Sequence, residues 1–207
     1  MKRALTFGLL LSWCAILLSL RGMRAHNVSY YFLFWNLFLA AIPFVAAEAY
    51  ARTRWRAAGW LAFIVWLLFL PNAPYIVTDF IHLRARPPVP LWYDVLLLIS
   101  CAGTGLLLGY GSTMIVQRAT ARRWGLRVGW TAAVVALLVA AFGIYLGRFV
   151  RFNSWEVFTD PRPLFADITH RLMNPLSHPR TFAVTVLYGI AHVLGYLGLH
   201  VLAEEQM

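Results

Sequence analysis

Asp79 and His82 stand three residues apart in the stretch Leu70 to Arg86, LPNAPYIVTDFIHLRAR. On a helix that spacing places a carboxylate and an imidazole on one face, a pair able to move a proton or to supply two ligands to a divalent cation. If a helix starts near Asn72, with its side chain capping free N–H groups and Pro74 in the first turn, the stripe lengthens. Asn72, Tyr75, Asp79 and His82 then fall at i, i+3, i+7 and i+10, and Ile76, Val77, Phe80, Ile81 and Leu83 form the other side. An acid beside a membrane costs free energy until something pairs with it.

Three further stretches carry candidate chemistry. Trp92-Tyr93-Asp94 opens an apolar run. Asp94 suits the positive end of a helix dipole, and it shares a small, polar line with Cys101, Gly105 and Ser112. That line would look into a bundle and would turn Asp94 toward the same pocket as Asp79 and His82. Arg148 and Arg151, one helical turn apart, could clamp a phosphate or carboxylate, or pair with Asp79 and Asp94. Asn153 followed by Glu156 reads as a capping box, with Trp155 between them. His192 lies near mid-run with Thr185, Tyr188 and Tyr196 close to its stripe. These give catalytic candidates Asp79, His82 and Asp94, and ligand-binding candidates Asn72, Tyr75, Arg148, Arg151, Asn153, Trp155, Glu156 and His192. For a metal, Asp79 and His82 are two ligands; a third would have to be Asp94, Glu156, His170 or His192, none fixed by local spacing. HExxH, GxSxG and glycine-rich phosphate loops are absent from the sequence.

The elements that must position these residues are membrane spans. Of 207 residues 61% are hydrophobic and 13% charged, against about 25% charged in soluble domains. Six apolar runs approach the ~20 residues a crossing needs: about 4–20, 30–51, 55–70, 92–116, 128–147 and 181–202. The third is short and borrows length from its flanks. Lys2-Arg3 and the run after them read as a first span rather than a cleaved leader. The expected fold is all-α, one membrane-embedded domain of six spans with short interfacial helices. One such helix follows Pro163, with Leu164, Phe165, Ile168 and Leu172 on one face and Asp167, His170 and Arg171 opposite.

The net charge of +10 comes from seventeen arginines and one lysine against eight acids. The arginines sit in short loops between apolar runs, which suits topology control and anionic head groups and excludes nucleic acid as the expected partner. The acid-free N-terminus, the 52–56 loop and the 118–127 loop favour the cytoplasm, placing both termini inside a bacterial cytoplasmic (inner) membrane. Residues 70–86, the start of the fourth span and the long 148–180 loop then share the outer face. Cys14 and Cys101, each inside an apolar run, read as small packing residues.

At LPNAPYIVTDFIHL, WYD and GRFVRFNSWE the chain resembles a bacterial integral membrane family of unknown function, domain-of-unknown-function family thirteen sixty-one. The resemblance covers nearly the whole chain. It implies a multi-span protein whose distinguishing residues match Pro71, Asn72, Pro74, Tyr75, Asp79, His82, Asp94, Gly147, Arg148, Asn153, Ser154 and Trp155. Where the family pattern has Asp after the Trp, this chain has Glu156, one methylene longer. A cap tolerates that change better than a tight metal geometry does. Three functions fit these residues: an enzyme on a lipid or lipid-linked substrate at the outer interface, a binding or transport protein for a small anionic or lipidic ligand, and a scaffold whose polar cluster is an internal salt-bridge network. Membrane lipids are expected partners in all three; the sequence names no cofactor and no oligomeric state.

Overall fold

The structure, a computed structural model, describes residues 2–25 and 28–204. It is all-helical, with no β-strand among the described residues beyond one bridge between Arg86 and Val89. Six helical stretches are long and apolar enough to cross a membrane: Arg3–Ala25, Phe32–Arg52, Arg56–His82, Leu91–Trp124, Leu126–Val150 and Pro179–Ala203. The chain is therefore a multi-pass membrane protein. It separates into two compact units, Met1–Ser112 and Thr113–Met207.

The first unit contains α1 (Lys2–Ala25), α2 (Phe32–Arg52), α3 (Arg56–Phe69), α4 (Asn72–Tyr75), a 3-10 segment (Ile76–His82) and the first part of α5 (Leu91–Trp124). Hydrophobicity gives little drive for association inside a bilayer, so close packing and polar contacts hold the helices. Cys14, Leu17, Leu18, Leu33, Leu37, Ala73, Ile76, Leu97 and Cys101 form the buried core, and both cysteines serve as small packing residues there. Gly105 and Gly109 of α5 let α4 approach: a Cβ at Gly105 would stand 2.3 Å from the Ala73 carbonyl oxygen, and one at Gly109 3.1 Å from the Ala73 Cβ. The Trp66 indole donates to Ser112 Oγ at 3.1 Å, fixing α3 on α5.

Residues 72–82 do not form the single α-helix expected of them. Pro71 and Pro74 each remove an N–H donor, so the α-helical ladder cannot run through this point. The chain makes one turn and then tightens into the 3-10 segment, with Thr78 Oγ1 donating back to the Tyr75 carbonyl at 2.6 Å. Pro71, not Asn72, stands at the N-cap of α4, with no side-chain cap hydrogen bond, and Asn72 Nδ2 donates to the Phe69 carbonyl at 3.0 Å, closing the end of α3. The change from 3.6 to 3.0 residues per turn re-sorts the stripe. Ile76, Asp79 and His82 fall in one row, and Tyr75, Thr78 and Ile81 in another. Asp79 is buried in the first row and Ile81 is exposed in the second.

The second unit contains the rest of α5, α6 (Leu126–Tyr145), a π-helical turn (Leu146–Val150), α7 (Glu156–Thr159), α8 (Pro161–Met173), a 3-10 turn (Pro175–Ser177) and α9 (Pro179–Glu204). Helix α5 continues through Arg118, Arg122 and Arg123, residues expected in a loop, because arginine is a good helix former whose head group can reach water. Gly125 stops it with φ +95, a left-handed conformation that a side chain would strain. Helices α6 and α9 pack closely, and the Tyr196 hydroxyl donates to Gln117 Oε1.

Candidate functional site

The chemistry of the first unit centres on a buried ion pair. Asp94, in the first turn of α5, is 0% exposed, and Arg21 of α1 is 1% exposed. Arg21 Nε donates to Asp94 Oδ1 at 2.7 Å and Nη2 to Oδ2 at 3.2 Å, the two-pronged geometry that suits a guanidinium. Its Nη1 reaches the Ser29 carbonyl at 3.2 Å, and its Cζ lies 4.5 Å from the centre of the Tyr30 ring. Tyr30, held at φ 72, donates its hydroxyl proton to the His82 carbonyl at 2.9 Å. Burial pushes the Tyr30 phenol up and Asp94 adds to this, against Arg86 and Arg21, so the group stays a neutral donor. Arg86 lies 4.8 Å from the same ring centre. Tyr30 thus joins α1 to the end of the 3-10 segment, and Arg21 carries the link on to the start of α5.

Asp79 is 1% exposed and accepts a hydrogen bond from Asn36 Nδ2 of α2 at 2.9 Å. The His82 ring meets Phe32 edge-on, with centres 5.4 Å apart. Asp94 is therefore not turned into an open pocket with Asp79 and His82. It is linked to His82 through Arg21, Tyr30 and a backbone carbonyl. Neither aspartate faces water, and both are hydrogen-bonded inside the bundle. Among the described residues no group of three or more His, Cys, Asp or Glu side chains is placed to hold a metal.

Two hollows open in this unit: an apolar one of about 480 Å³ between α2 and α3, lined by residues such as Phe38, Val45, Leu61 and Val65, and a basic, aromatic one. A groove of about 910 Å³ lies between the end of α1 and the start of α5, with Arg24, Pro88, Pro90, Trp92 and Tyr93 on its walls and Arg21 beneath. Arg24 is exposed, and no acid pairs with it among the described residues. The Tyr93 hydroxyl donates to the Leu17 carbonyl at 2.8 Å, which fixes one wall.

In the second unit the expected arginine clamp is not a helical face. Arg148 lies in the π turn, half-buried, and Arg151 follows it, exposed, at φ 70. A π turn has more residues per turn than an α-helix, so a spacing of three no longer stacks two side chains. Asn153 and Glu156 do meet: the Asn153 backbone N–H donates to Glu156 Oε2 at 3.1 Å and its Nδ2 to Oε1 at 3.0 Å, and α7 begins there. Trp155 precedes α7 and is half-buried. His192 is buried in α9, 6.1 Å from the Tyr188 ring centre. The hub of this unit is Arg171. It grips Asp167 twice, at 2.6 and 2.9 Å, and donates to the Tyr145 hydroxyl at 3.0 Å and to Thr181 Oγ1 at 3.1 Å. The Asp167 hydrogen bond raises the Arg171 guanidinium above its already high ordinary value, so the hub keeps its charge. His178 Nε2 and His170 Nδ1 are 3.0 Å apart beside it.

The motifs around Asp79, Asp94 and Asn153 all lie within residues 35–194, the part of the chain that matches the family described as Protein of unknown function (DUF1361). The chain belongs to that family. No curated protein and no solved structure matches it.

The family match leaves out the partner of Asp94, since Arg21 precedes residue 35. A signal for it was present: Cys14, Leu17, Leu18 and Arg21 fall at i, i+3, i+4 and i+7, and all four are buried. Reading the apolar run as ending at Leu20 put Arg21 in a loop. Asn36 sits in the same way among Leu33, Leu37 and Ala40, all buried. The spacing sets Arg171 opposite the apolar face of its helix and gives it no partner, whereas it is the residue that ties that helix down.

Proposed function

We propose that this protein, set in a bacterial cytoplasmic (inner) membrane, binds a small anionic amphiphile, a lipid or lipid-linked molecule, in the groove of its first unit without cleaving it. One observation carries the reading: the groove offers an exposed arginine, Arg24, beside Trp92, Tyr93 and two prolines. An anionic head group suits the guanidinium, and acyl or prenyl carbon suits the aromatic and proline wall. Binding is favoured over catalysis because Asp79 and Asp94 are buried and occupied by Asn36 and Arg21. Acids held this way stabilise the groove rather than approach a ligand.

Native mass spectrometry of the purified protein with equal amounts of phosphatidylglycerol and phosphatidylcholine tests this. The wild type is expected to retain phosphatidylglycerol preferentially. Arg24→Ala is expected to reduce that occupancy about fivefold, the worth of roughly one arginine at an anionic surface. Equal retention of the two lipids would sink the reading, and consumption of the added lipid would favour an enzyme.

The groove belongs to the outer face if both termini are cytoplasmic, the orientation supported by the arginines of the N-terminus and of residues 52–56 and 118–127. A reporter that fluoresces only in the cytoplasm, fused after residue 207, is then expected to be bright. A dark, well-expressed fusion reverses the orientation.

A further inference from the structure

Helix α8 divides into three arcs at about 100° per residue. One faces its own unit: Leu164 and Ile168 pack with Tyr145, Leu146, Phe142 and Val184, and Asp167 and Arg171 complete the arc through the Arg171 hub. A second arc is small and polar, with Ala166 and His170. The third carries Phe165, 55% exposed, and Leu172, 59% exposed, with Arg162 at its edge and Met173 at the border with Ala166. Leu176, just beyond the helix, is 94% exposed. The expected single apolar face is thus split, and half of it is left uncovered by the protein.

We infer that this outer arc is an interaction surface for the bilayer interface, and that the lipid it selects carries anionic head groups. Residues 151–178 are tethered at both ends by membrane spans, which end at Val150 and resume at Pro179. The interface is therefore within reach of every residue of α8. Within α8 the Asp167–Arg171 pair is internal and leaves Arg162 beside the apolar arc, while the exposed Asp160 stands at the N-cap, where the positive end of the helix dipole offsets its charge. Arg180 is exposed at the start of α9 and lies over the Phe149 ring, 4.3 Å from its centre, a placement from which its charge can reach head groups. Phe165 and Leu172 lie in the acyl–headgroup boundary, and Arg162 sits level with the phosphates.

The full-length protein in nanodiscs, spin-labelled in turn at Phe165→Cys, Leu172→Cys and Ala166→Cys, tests the surface; the buried Cys14 and Cys101 give the background in a chain without an added cysteine. Collision with oxygen relative to a water-soluble nickel chelate is expected to be higher at 165 and 172 than at 166. In phosphatidylglycerol discs, adding Arg162→Ala is expected to reduce the membrane-inserted population about fivefold, with no change in phosphatidylcholine discs. Equal ratios at the three positions, shielding of 165 and 172 from both reagents by a protein partner, or an Arg162 effect that ignores lipid charge would each overturn the inference.

Discussion

Replacing Asp94 by Asn is expected to destabilise the first unit by about 3–5 kcal/mol, the usual cost of leaving one member of a buried ion pair alone. The guanidinium of Arg21 would remain buried against a neutral amide, and arginine cannot shed its proton to escape. Arg21→Met should cost less, because an unpaired carboxylate can take up a proton where an arginine cannot lose one. The double variant Arg21→Met, Asp94→Leu removes both charges and should lie closer to the wild type than Asp94→Asn does. Thermal unfolding of the detergent-solubilised protein gives the ordering. If the double variant lost the sum of the two single losses, the pair would not be the reason for either.

The second large effect is expected at Gly105. An alanine there would press its methyl against the Ala73 carbonyl, a backbone atom held between Pro71 and Pro74 that cannot swing aside. Overpacking of this kind costs about 1–3 kcal/mol where neighbours can adjust, and Gly105→Ala should lie at or above the top of that range. Gly109→Ala, which meets side-chain carbon at a longer distance, should lose less. Gly103→Ala has nothing within 4 Å and is expected to be neutral or stabilising by up to about 1 kcal/mol, through helix propensity alone. The same unfolding assay ranks the three, and a loss at Gly103 equal to that at Gly105 would remove close helix contact as the cause.

The spans were legible because hydropathy and length are summed properties that no single residue can upset. The small face of α5 was legible too: Asp94, Cys101, Gly105 and Ser112 are all buried, as their helical spacing required. What the spacing could not supply was partners. Asp94 was read as seeking Arg148 or Arg151, but an arginine inside an apolar-looking helix, Arg21, occupies both of its oxygens. The stripe from Asn72 to His82 failed for a local reason: after the two prolines the chain winds as a 3-10 segment, and the change in residues per turn changes the row each side chain joins. Helix α8 failed for a tertiary one. Its apolar residues span a wide arc, and only packing decides which of them the protein keeps for itself.

The 3-10 segment also bears on height. The fourteen residues of α3 rise about 21 Å at 1.5 Å each, short of the ~30 Å hydrocarbon layer. The six residues from Leu70 to Tyr75 keep helical dihedrals and supply the remaining ~9 Å at the same rise. The seven 3-10 residues that follow climb about 2.0 Å apiece, some 3.5 Å more than the same residues would in an α-helix. The crossing is therefore complete before the 3-10 segment begins, and the pitch of that segment sets how far beyond Tyr75 the chain carries Asp79 and His82.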